Sequence, residues 1–447
     1  MALSLLARVL PAQELGKEQR EAGFSFGSYG RAGVASDLRG HSGSSTNIVS
    51  HGTRYDAGTY AELELRRDDY PQDLEVQTVA TIAFAGNFFH YDGDIDEAVA
   101  VRNLYAEVRG AFAKPVSIWA GSRMVRGDDI YLLDFWPLDN LNLIGGGGAF
   151  ELDSFRVEAE LGLSRPNNAF YAQETPAEAP RGFEPAAVQR LDRQRAVAAL
   201  KGTLWGMGRT APRGFKLIGY TEGHHVPAGT REREDQSLED LDATSGAALG
   251  LQLGGYLDQP RAFVNLFFRC AFGVAAYDWP SAPELVGDRP ATSDASACLT
   301  ALSANVELGP VAVQAGAYFR RLRDPSASVR TGGASDELAL DVRPHAWFGQ
   351  HAGLALDLSY QLLQTRTLDA ETGELVQGSV TKLAAIPFYS PFGRGTYTRP
   401  HLQLIYALSL RDAGARGLYA ELDRRSQQGV EHFLGIGAEW WFNSTSY

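Results

Sequence analysis

The chain has 447 residues, a formal net charge of −13, 48 glycines, 11% aromatic residues and two cysteines. It contains no apolar run of about 18 residues, which excludes a membrane-spanning helix. Two cysteines are too few for a zinc ribbon or a disulfide scaffold, the acidic balance disfavours nucleic-acid binding, and the aromatic content disfavours disorder. What remains is a large β-protein, or a β-barrel whose membrane signal lies in residue alternation.

The first 23 residues are predicted to be a lead-in to the folded part. Residues 1–12 have a short apolar core with no preceding basic stretch. They are interpreted either as the remnant of a secretory signal cut near Ala12, or as a short apolar helix or disordered end. Residues 24–447 are predicted to form one domain.

From Phe24 onward the dominant hydrophobic period is two. In residues 60–65, 156–163, 402–408 and 434–442, apolar side chains alternate with polar or small ones. Strict alternation with one apolar face indicates β-strands. We count between 16 and 19 such segments, each about ten residues long. The sequence therefore predicts an all-β fold.

The predicted strands are separated alternately by short turns and by long polar connections. The long connections are predicted to include 36–57, 90–99, 136–148, 166–192, 223–243, 279–296 and 323–336. This rhythm is typical of outer-membrane barrels. A β-sandwich could also alternate, but so many strands would divide into domains, and no linker or repeat marks a division.

The second face of the strands carries aromatic and charged residues together. Tyr29 shares a face with Arg31, Tyr60 with Glu62, and Glu439 with Trp441. Sugars suit such a surface, because their C–H faces stack on aromatic rings while their hydroxyls bond to charged groups. The same residues would also fit an ordinary pore lining and interfacial aromatic girdles, so alternation alone leaves both interpretations open.

Six fragments in order resemble the maltoporin family of carbohydrate-selective porins. They are Phe26–Gly33, Thr59–Leu65, Ile118–Arg123, Asp128–Phe135, Tyr397–Pro400 and Gly435–Phe442. The fragments extend from one end of the strand-rich region to the other, while residues 165–335 match poorly beyond the strand rhythm. The resemblance implies a trimeric outer-membrane barrel of about 18 strands in which a long loop folds into the pore.

The resemblance also implies a function and its residues. Aromatic rings guide sugars along the pore, flanking charges bond to their hydroxyls, and no reaction is catalysed. The family's aromatic slide falls on Tyr29, Tyr60 and Trp441, and its constricting tyrosine falls on Trp136. Its charged track falls on Arg31, Arg54, Glu62, Arg102, Asp134 and Asp139, with Arg126 next to the remaining arginine position, Gly127.

Two slide positions of the family lack an evident equivalent. The tryptophan that precedes an Arg-Pro pair has no counterpart ahead of Arg343-Pro344, where Glu337 lies nearby. The mid-chain phenylalanine falls close to Pro260, with Phe263 three residues further on. We therefore expect a slide that is thinned in the middle, which puts a preference for maltodextrins in question.

Other motifs give weaker indications of a catalytic site, a metal site or a disulfide. Glu62 and Asp134 could form a glycosidase pair, but barrel interiors are rich in carboxylates. His224-His225 is expected in an exposed loop without further metal ligands, and Gly145–Gly148 is expected to be a turn leaving the inward loop. Cys270 and Cys298 lie nearly opposite each other on a predicted hairpin, and whether they pair is left open.

The sequence thus predicts a bacterial outer-membrane sugar porin, embedded in lipid as a homotrimer and passing oligosaccharides such as maltodextrins by passive diffusion. No cofactor, metal or nucleic acid is implied. The alternative is a general diffusion porin for small hydrophilic solutes. An outer-membrane barrel enzyme and a soluble multi-domain β-protein are the remaining rivals, and no catalytic constellation or domain boundary in the sequence favours either.

Overall fold

Eighteen antiparallel strands close into one barrel. The computed structural model describes residues 21–56, 58–72, 74–94, 98–177, 186–233, 235–277, 292–323, 334–368 and 375–444. The proposed signal remnant in residues 1–12 lies outside the described residues. Each barrel strand pairs with the next barrel strand along the chain, and the first strand pairs with the last, which closes the sheet.

The barrel strands follow in chain order. They are β1 (Gly23–Ser36), β2 (Tyr60–Asp69), β3 (Glu75–Ala85), β4 (Ala98–Arg109), β5 (Val116–Arg126), β6 (Asn140–Glu151), β7 (Phe155–Ser164), β10 (Arg195–Trp205), β11 (Arg213–Val226), β14 (Thr244–Leu257), β15 (Ala262–Gly273), β16 (Ser296–Leu308), β17 (Val311–Arg323), β18 (Ala334–Phe348), β19 (Ala352–Leu368), β20 (Leu375–Tyr389), β21 (His401–Arg411) and β22 (Val430–Phe442). The observed number of strands lies within the predicted range.

Helices and two small hairpins lie in the connections. The hairpins are β8 (Ala172–Ala177) with β9 (Ala186–Asp192), and β12 (Gly229–Glu232) with β13 (Leu238–Leu241). The helices are α1 (Phe89–Asp92), α2 (Ala413–Gly417) and α3 (Arg424–Gln427). Among the described residues, no helix has both the length and the apolar character needed to cross a lipid bilayer.

Successive connections alternate between the two rims of the barrel, and most of the longer ones lie at one rim. The short-connection rim carries 70–74, 110–115, 152–154, 206–212, 258–261, 309–310, 349–351 and 390–400. The long-connection rim carries 37–59, 86–97, 127–139, 165–194, 227–243, 274–295 and 412–429. The predicted rhythm is therefore confirmed. Most residues of the connections predicted at 279–296 and 323–336 lie outside the described residues.

The connection predicted at 136–148 is wrong, because β6 already begins at Asn140. The glycine run Gly145–Gly148 lies within this strand and is not a turn. A Cβ atom on Gly147 would lie 1.9 Å from Glu160 Oε2 and 2.6 Å from Trp119 Nε1. These two atoms are joined by a hydrogen bond of 2.7 Å that crosses directly over the glycine. Position 147 therefore needs a glycine, because a larger side chain would collide with the hydrogen bond between Trp119 and Glu160.

His224 and His225 also lie in a strand, because β11 extends to Val226, and not in the exposed loop that was predicted. His224 is buried, with its Nδ1 2.8 Å from Arg195 Nε and its Nε2 3.6 Å from Glu222 Oε2. The sequence left open whether the two cysteines pair, and the structure shows that they do. Cys270 and Cys298 are direct partners across β15 and β16, and they form a disulfide with an S–S distance of 2.10 Å.

Two long connections fold into the barrel and fill part of it. The inward loop, residues 127–139, places a cluster of apolar side chains against the inner wall (Ile130, Leu132, Leu133, Phe135 and Leu138 against Val197, Ile218, Phe267, Leu299 and Tyr318). Gly250 and Gly316 leave room in that wall for Leu138 and Ile130, since a Cβ atom would come within 2.4 and 2.5 Å of them. The first loop, residues 37–59, packs on the wall of β17–β20.

Candidate functional site

Two rows of aromatic and charged residues cross three neighbouring strands. Tyr29 on β1 lies opposite Glu62 on β2 and opposite Trp441 on β22. One step further along β1, Arg31 lies opposite Tyr60 and Glu439 in the same way. Because inward-facing residues recur at every second position, these six side chains share the inner face of the barrel. The predicted residues Tyr29, Tyr60, Trp441, Arg31 and Glu62 are thus brought together.

Ring contacts and hydrogen bonds link the two rows to each other. The ring centroids of Tyr29 and Tyr60 are 5.9 Å apart. Arg31 donates from Nη1 to the Tyr29 hydroxyl at 3.0 Å, and its guanidinium lies 5.6 Å from the Tyr60 ring centroid. Arg31 also lies 3.6 Å from Asp134 of the inward loop. A planar cation beside two rings can both stack and donate to hydroxyl groups.

Glu439 lies at the centre of the site and accepts from three donors. Arg54 of the first loop donates from Nη2 at 2.7 Å, the Tyr131 hydroxyl of the inward loop donates at 2.6 Å, and Arg399 donates from Nε at 2.9 Å. All four side chains are buried. A buried carboxylate needs such compensation, so Glu439 ties both loops to the wall of β22.

Four aromatic rings form a contiguous group next to Glu439. Tyr131 lies 5.9 Å from Trp441 and 5.6 Å from Tyr397, between ring centroids. Tyr397 lies 6.5 Å from Trp441 and 6.1 Å from Phe263. The guanidinium of Arg399 lies 4.0 Å from the Trp441 ring centroid. The site therefore continues the aromatic row of β1 and β2 through the interior of the barrel.

Glu62 and Arg102 extend the site toward β4. Glu62 accepts a hydrogen bond from the Tyr60 hydroxyl, and Arg102 Nε lies 3.9 Å from Glu62 Oε1. The same Arg102 nitrogen lies 2.9 Å from the sulfur of Met124. Arg102 is half-buried, so part of its guanidinium faces the interior.

Trp136, Arg126 and Asp139 lie along the inward loop away from the four-ring group. The guanidinium of Arg126 stacks 4.1 Å from the Trp136 ring centroid and donates to Asn140 Oδ1 at 2.8 Å. Trp136 lines a small cavity of about 80 Å³ together with Leu143 and Val197. Asp139 is buried and bonds to Lys201 Nζ at 2.9 Å.

One carboxylate of the inward loop lies close to two arginines, Arg31 and Arg54. Asp134 lies 3.6 Å from Arg31 and 3.9 Å from Arg54, with about a third of its side chain exposed. Burial, followed by the neighbouring Asp134 and Asp128 carboxylates, raises the pKa of Asp129 to about 7, against the opposing effect of Arg54. Asp129 therefore changes charge near neutral pH.

The main interior cavity has a volume of about 640 Å³. Arg31, Arg54, Tyr131, Arg399 and Glu439 form one side of it. Residues of β17–β21 complete the lining, among them the polar Gln314, Arg343 and His345 and the apolar Ile386, Phe388 and Ile405. Flat apolar surface and exchangeable hydrogen-bond partners therefore face the same space.

Some residues of the site escaped the sequence analysis. Tyr397 precedes Arg399-Pro400 and lies beside Trp441, and no slide position was predicted there. Glu439 could have been selected, because it alternates with Trp441 on one face of β22. Tyr131 and Arg399 carry no local pattern, because both lie in connections whose path through the barrel is set by packing.

The profile of the LamB porin family matches residues 24–442. A comparison with curated protein sequences gave no match. The family match extends from the first barrel strand to the last.

Several solved structures are similar to the chain. One is in-vitro folded OmpT, an outer membrane protein of Vibrio cholerae in its trimer form, with 12% identity, a TM-score of 0.39, and coverage of 94% of this chain and 99% of that chain. Another is OpdK of Pseudomonas aeruginosa with vanillate, with 12% identity, a TM-score of 0.43, and coverage of 94% and 98%. An improved structure of OccK1 (OpdK) from the same organism has 13% identity, a TM-score of 0.44 and the same coverage.

Proposed function

The chain belongs to the LamB porin family, and on that premise we propose that it is a sugar porin of the maltoporin type. It is a porin of the bacterial outer membrane, and the family and the fold are those of passive channels. The proposal adds that oligosaccharides such as maltodextrins diffuse through it, and that it works as a homotrimer embedded in outer-membrane lipid.

The proposal rests on one observation, the alternation of rings and charges in two adjacent rows on β22, β1 and β2. Tyr29, Tyr60 and Trp441 offer flat apolar faces, and Arg31, Glu62 and Arg102 offer hydrogen-bond partners beside them. Sugar rings present C–H faces and edge hydroxyls, and they need both kinds of surface. We assign these residues to the slide and the track, together with Arg54 of the first loop, Arg126 at the end of β5, and Asp134, Trp136 and Asp139 of the inward loop.

Transport requires that each contact be weak. A solute must enter and leave, so several shallow sites in series serve better than one deep site. In this barrel the charges already pair with one another, as Arg31 does with Asp134 and Arg54 with Glu439. A sugar hydroxyl would replace part of such a bond while the opposite charge stays close by. This exchange keeps the net affinity low.

The alternative is a general diffusion porin. It is favoured by the burial of Tyr29 and Tyr131, which expose only 1% and 5% of their surface and pack mainly on other side chains. In that case the rings are packing residues of a pore that passes any small hydrophilic solute.

Sugar block of single channels separates the two functions. The protein reconstituted in planar lipid bilayers should show ion current that maltohexaose blocks in a saturable manner. A general porin would show only the small, linear decrease that a viscous additive causes. Absence of saturable block by malto-oligosaccharides, other gluco-oligosaccharides and sucrose would refute the sugar function.

Arg31→Ala tests the track directly. Loss of a guanidinium that stacks on Tyr60 and donates to the Tyr29 hydroxyl should weaken maltohexaose block by about fivefold, the equivalent of one exposed cation–π contact. Conductance should change little, because the loops that fill part of the barrel are not altered by this substitution. Arg321→Ala is the matched control, since Arg321 is 56% exposed and pairs with Asp336 away from the site. Equal block in both variants would remove Arg31 from the track.

A further inference from the structure

One connection at the short-connection rim differs from the others. The other seven contain between two residues (309–310) and seven residues (206–212). Residues 390–400 form a longer segment of eleven residues, here named the strap. Ser390 and Thr396 of the strap are completely buried. A connection that only links two neighbouring strands normally lies at the surface. The strap instead folds into the barrel from the rim opposite to the inward loop.

Thr396 latches the strap to a distant strand. Its N–H donates to Glu307 Oε1 at 2.8 Å, and its hydroxyl lies 2.7 Å from the same oxygen and 3.1 Å from Asn305 Oδ1. Glu307 and Asn305 are on β16, and β17, β18 and β19 lie between that strand and β20. With neighbouring strands about 4.8 Å apart, the latch extends across roughly 19 Å of wall.

The other end of the strap is held at β22. Arg399 donates from Nε to Glu439 Oε2 at 2.9 Å, and from Nη1 to the carbonyl oxygens of Thr396 and Thr398 at 2.9 and 3.0 Å. Near the middle, Arg394 donates from Nε to the Gly349 carbonyl at 2.7 Å. The strap is therefore fixed at several points, and its conformation is defined by bonds to other parts of the barrel.

This anchoring places Tyr397 between two distant walls. Its ring is 6.1 Å from Phe263 on β15 and 6.5 Å from Trp441 on β22, between centroids. Six strands separate β15 from β22 in the barrel order. Tyr397 is also 5.6 Å from Tyr131 of the inward loop. Segments that enter from opposite rims thus meet ring to ring inside the barrel.

We propose that the strap is a second constriction element of the pore. The bonds of Thr396 to Glu307 and Asn305 hold Tyr397 in the interior, so the strap sets the width of the path toward the short-connection rim together with the inward loop. Thr396 is a positioning residue and Tyr397 is the ring it positions. The part of the proposal that concerns sugar contact rests on the proposed function, whereas the part that concerns pore width does not.

Thr396→Val tests the latch with little change in shape. The variant loses the hydroxyl that contacts Glu307 and Asn305, so the strap should move toward the rim. We expect single-channel conductance to rise roughly 1.5-fold or more, because the path widens. Maltohexaose block should weaken about fivefold, as one ring contact is lost. Thr398→Val is the matched control, because the Thr398 hydroxyl bonds only within the strap, to the Arg394 carbonyl at 3.1 Å.

A double-mutant cycle distinguishes the latch from general damage to the barrel. Glu307→Ala removes the bonds that the N–H and the hydroxyl of Thr396 make to this carboxylate, and Thr396→Val removes the hydroxyl bond from the other side, so the conductance increases of the two variants should be less than additive in the double variant. Additive increases, or equal conductance of Thr396→Val and Thr398→Val, would overturn the proposal. If wild-type current is not blocked by maltohexaose but the conductance changes occur as expected, the sugar function fails while the strap remains a constriction.

Discussion

At the scale of single residues, the site is a set of coupled pairs. Glu439 is shared by Arg54, Tyr131 and Arg399, and the Tyr29 hydroxyl accepts from both Arg31 and Arg54. Removal of one member therefore alters its partners, and the effects of single substitutions in this group should not add. The rings and charges act as one surface.

Either of two aromatic residues of the inward loop, Trp136 or Tyr131, could form the narrowest part of the pore. Trp136→Ala should raise conductance and weaken maltohexaose block if Trp136 narrows the path, as the family resemblance implies. Tyr131→Ala should do the same through the loss of contacts with Trp441 and Tyr397. Because Tyr131 belongs to the four-ring group, we expect the larger effect from Tyr131→Ala. Single-channel recordings of both variants decide the question, and unchanged values in Trp136→Ala would exclude Trp136 from the constriction.

Asp129 should make ion selectivity depend on pH. With a pKa of about 7, its carboxyl is neutral at pH 5.5 and ionised at pH 8.5. The added negative charge should raise the K⁺ to Cl⁻ permeability ratio about fourfold, because one unit charge roughly 10 Å from the ion path in water favours K⁺ and disfavours Cl⁻ by about twofold each. Reversal potentials in a KCl gradient measure this ratio. Asp129→Asn should abolish the step near neutral pH, and a step of the same size in that variant would assign it to another group.

At the scale of elements, the inward-folding connections depend on buried polar anchors. Lys382 on β20 bonds to Asp56 Oδ2 at 2.6 Å and to Asn47 Oδ1 at 2.7 Å, and both charged side chains are at most 2% exposed. The first loop therefore rests on a buried ion pair as well as on apolar packing. Removal of one charge leaves the other buried without compensation, which is the costly case.

Lys382→Met should release the first loop from the wall. An unpaired Asp56 costs about 3–5 kcal/mol, so the open form of the loop should be populated at least about a hundredfold more. Trypsin cleavage after Arg54, buried in the closed loop, measures this population when opening is fast relative to cleavage. The double variant Lys382→Met with Asp56→Leu should recover most of the protection. Equal cleavage of the single variant and the wild type would contradict the anchoring role.

At the scale of the whole molecule, the outer surface of the barrel is an apolar belt. Leu358 on β19 lies between Val342 on β18 and Leu383 on β20, and all three are more than 40% exposed. Exposed rows of this kind are tolerated in lipid and promote aggregation in water. Because these apolar outward rows alternate with polar inward rows, the mean hydropathy of the chain is close to that of a soluble protein although the barrel spans a membrane.

Leu358→Arg tests that the belt faces lipid. A charge on the lipid-facing side of a barrel strand costs about 2–4 kcal/mol near the middle of the bilayer. The yield of folded protein in lipid vesicles, measured by the shift in gel mobility without heating, should therefore decrease. Leu422→Arg is the control, because Leu422 is fully exposed in the connection 412–429. Equal yields would mean that the β19 surface does not contact the bilayer core.

The sequence by itself determined the all-β class, the approximate number of strands, the two rims and the residues that face inward. These properties are local, because alternation along a strand assigns each side chain to one face without knowledge of its neighbours. The same logic brought Tyr29, Arg31, Tyr60, Glu62 and Trp441 together, since adjacent strands in a closed sheet leave few possible registers. It failed at Gly145–Gly148, where glycines serve a close approach within a strand.

Only the tertiary structure decided which connections enter the barrel and what they meet there. Tyr131, Tyr397 and Arg399 lie in connections without a repeating pattern, and their positions follow from packing against the wall and from bonds to Glu439, Glu307 and Asn305. These partners are far away along the chain, so no local period encodes them. The barrel wall could be predicted because its order is local, whereas the interior is set by contacts across the barrel.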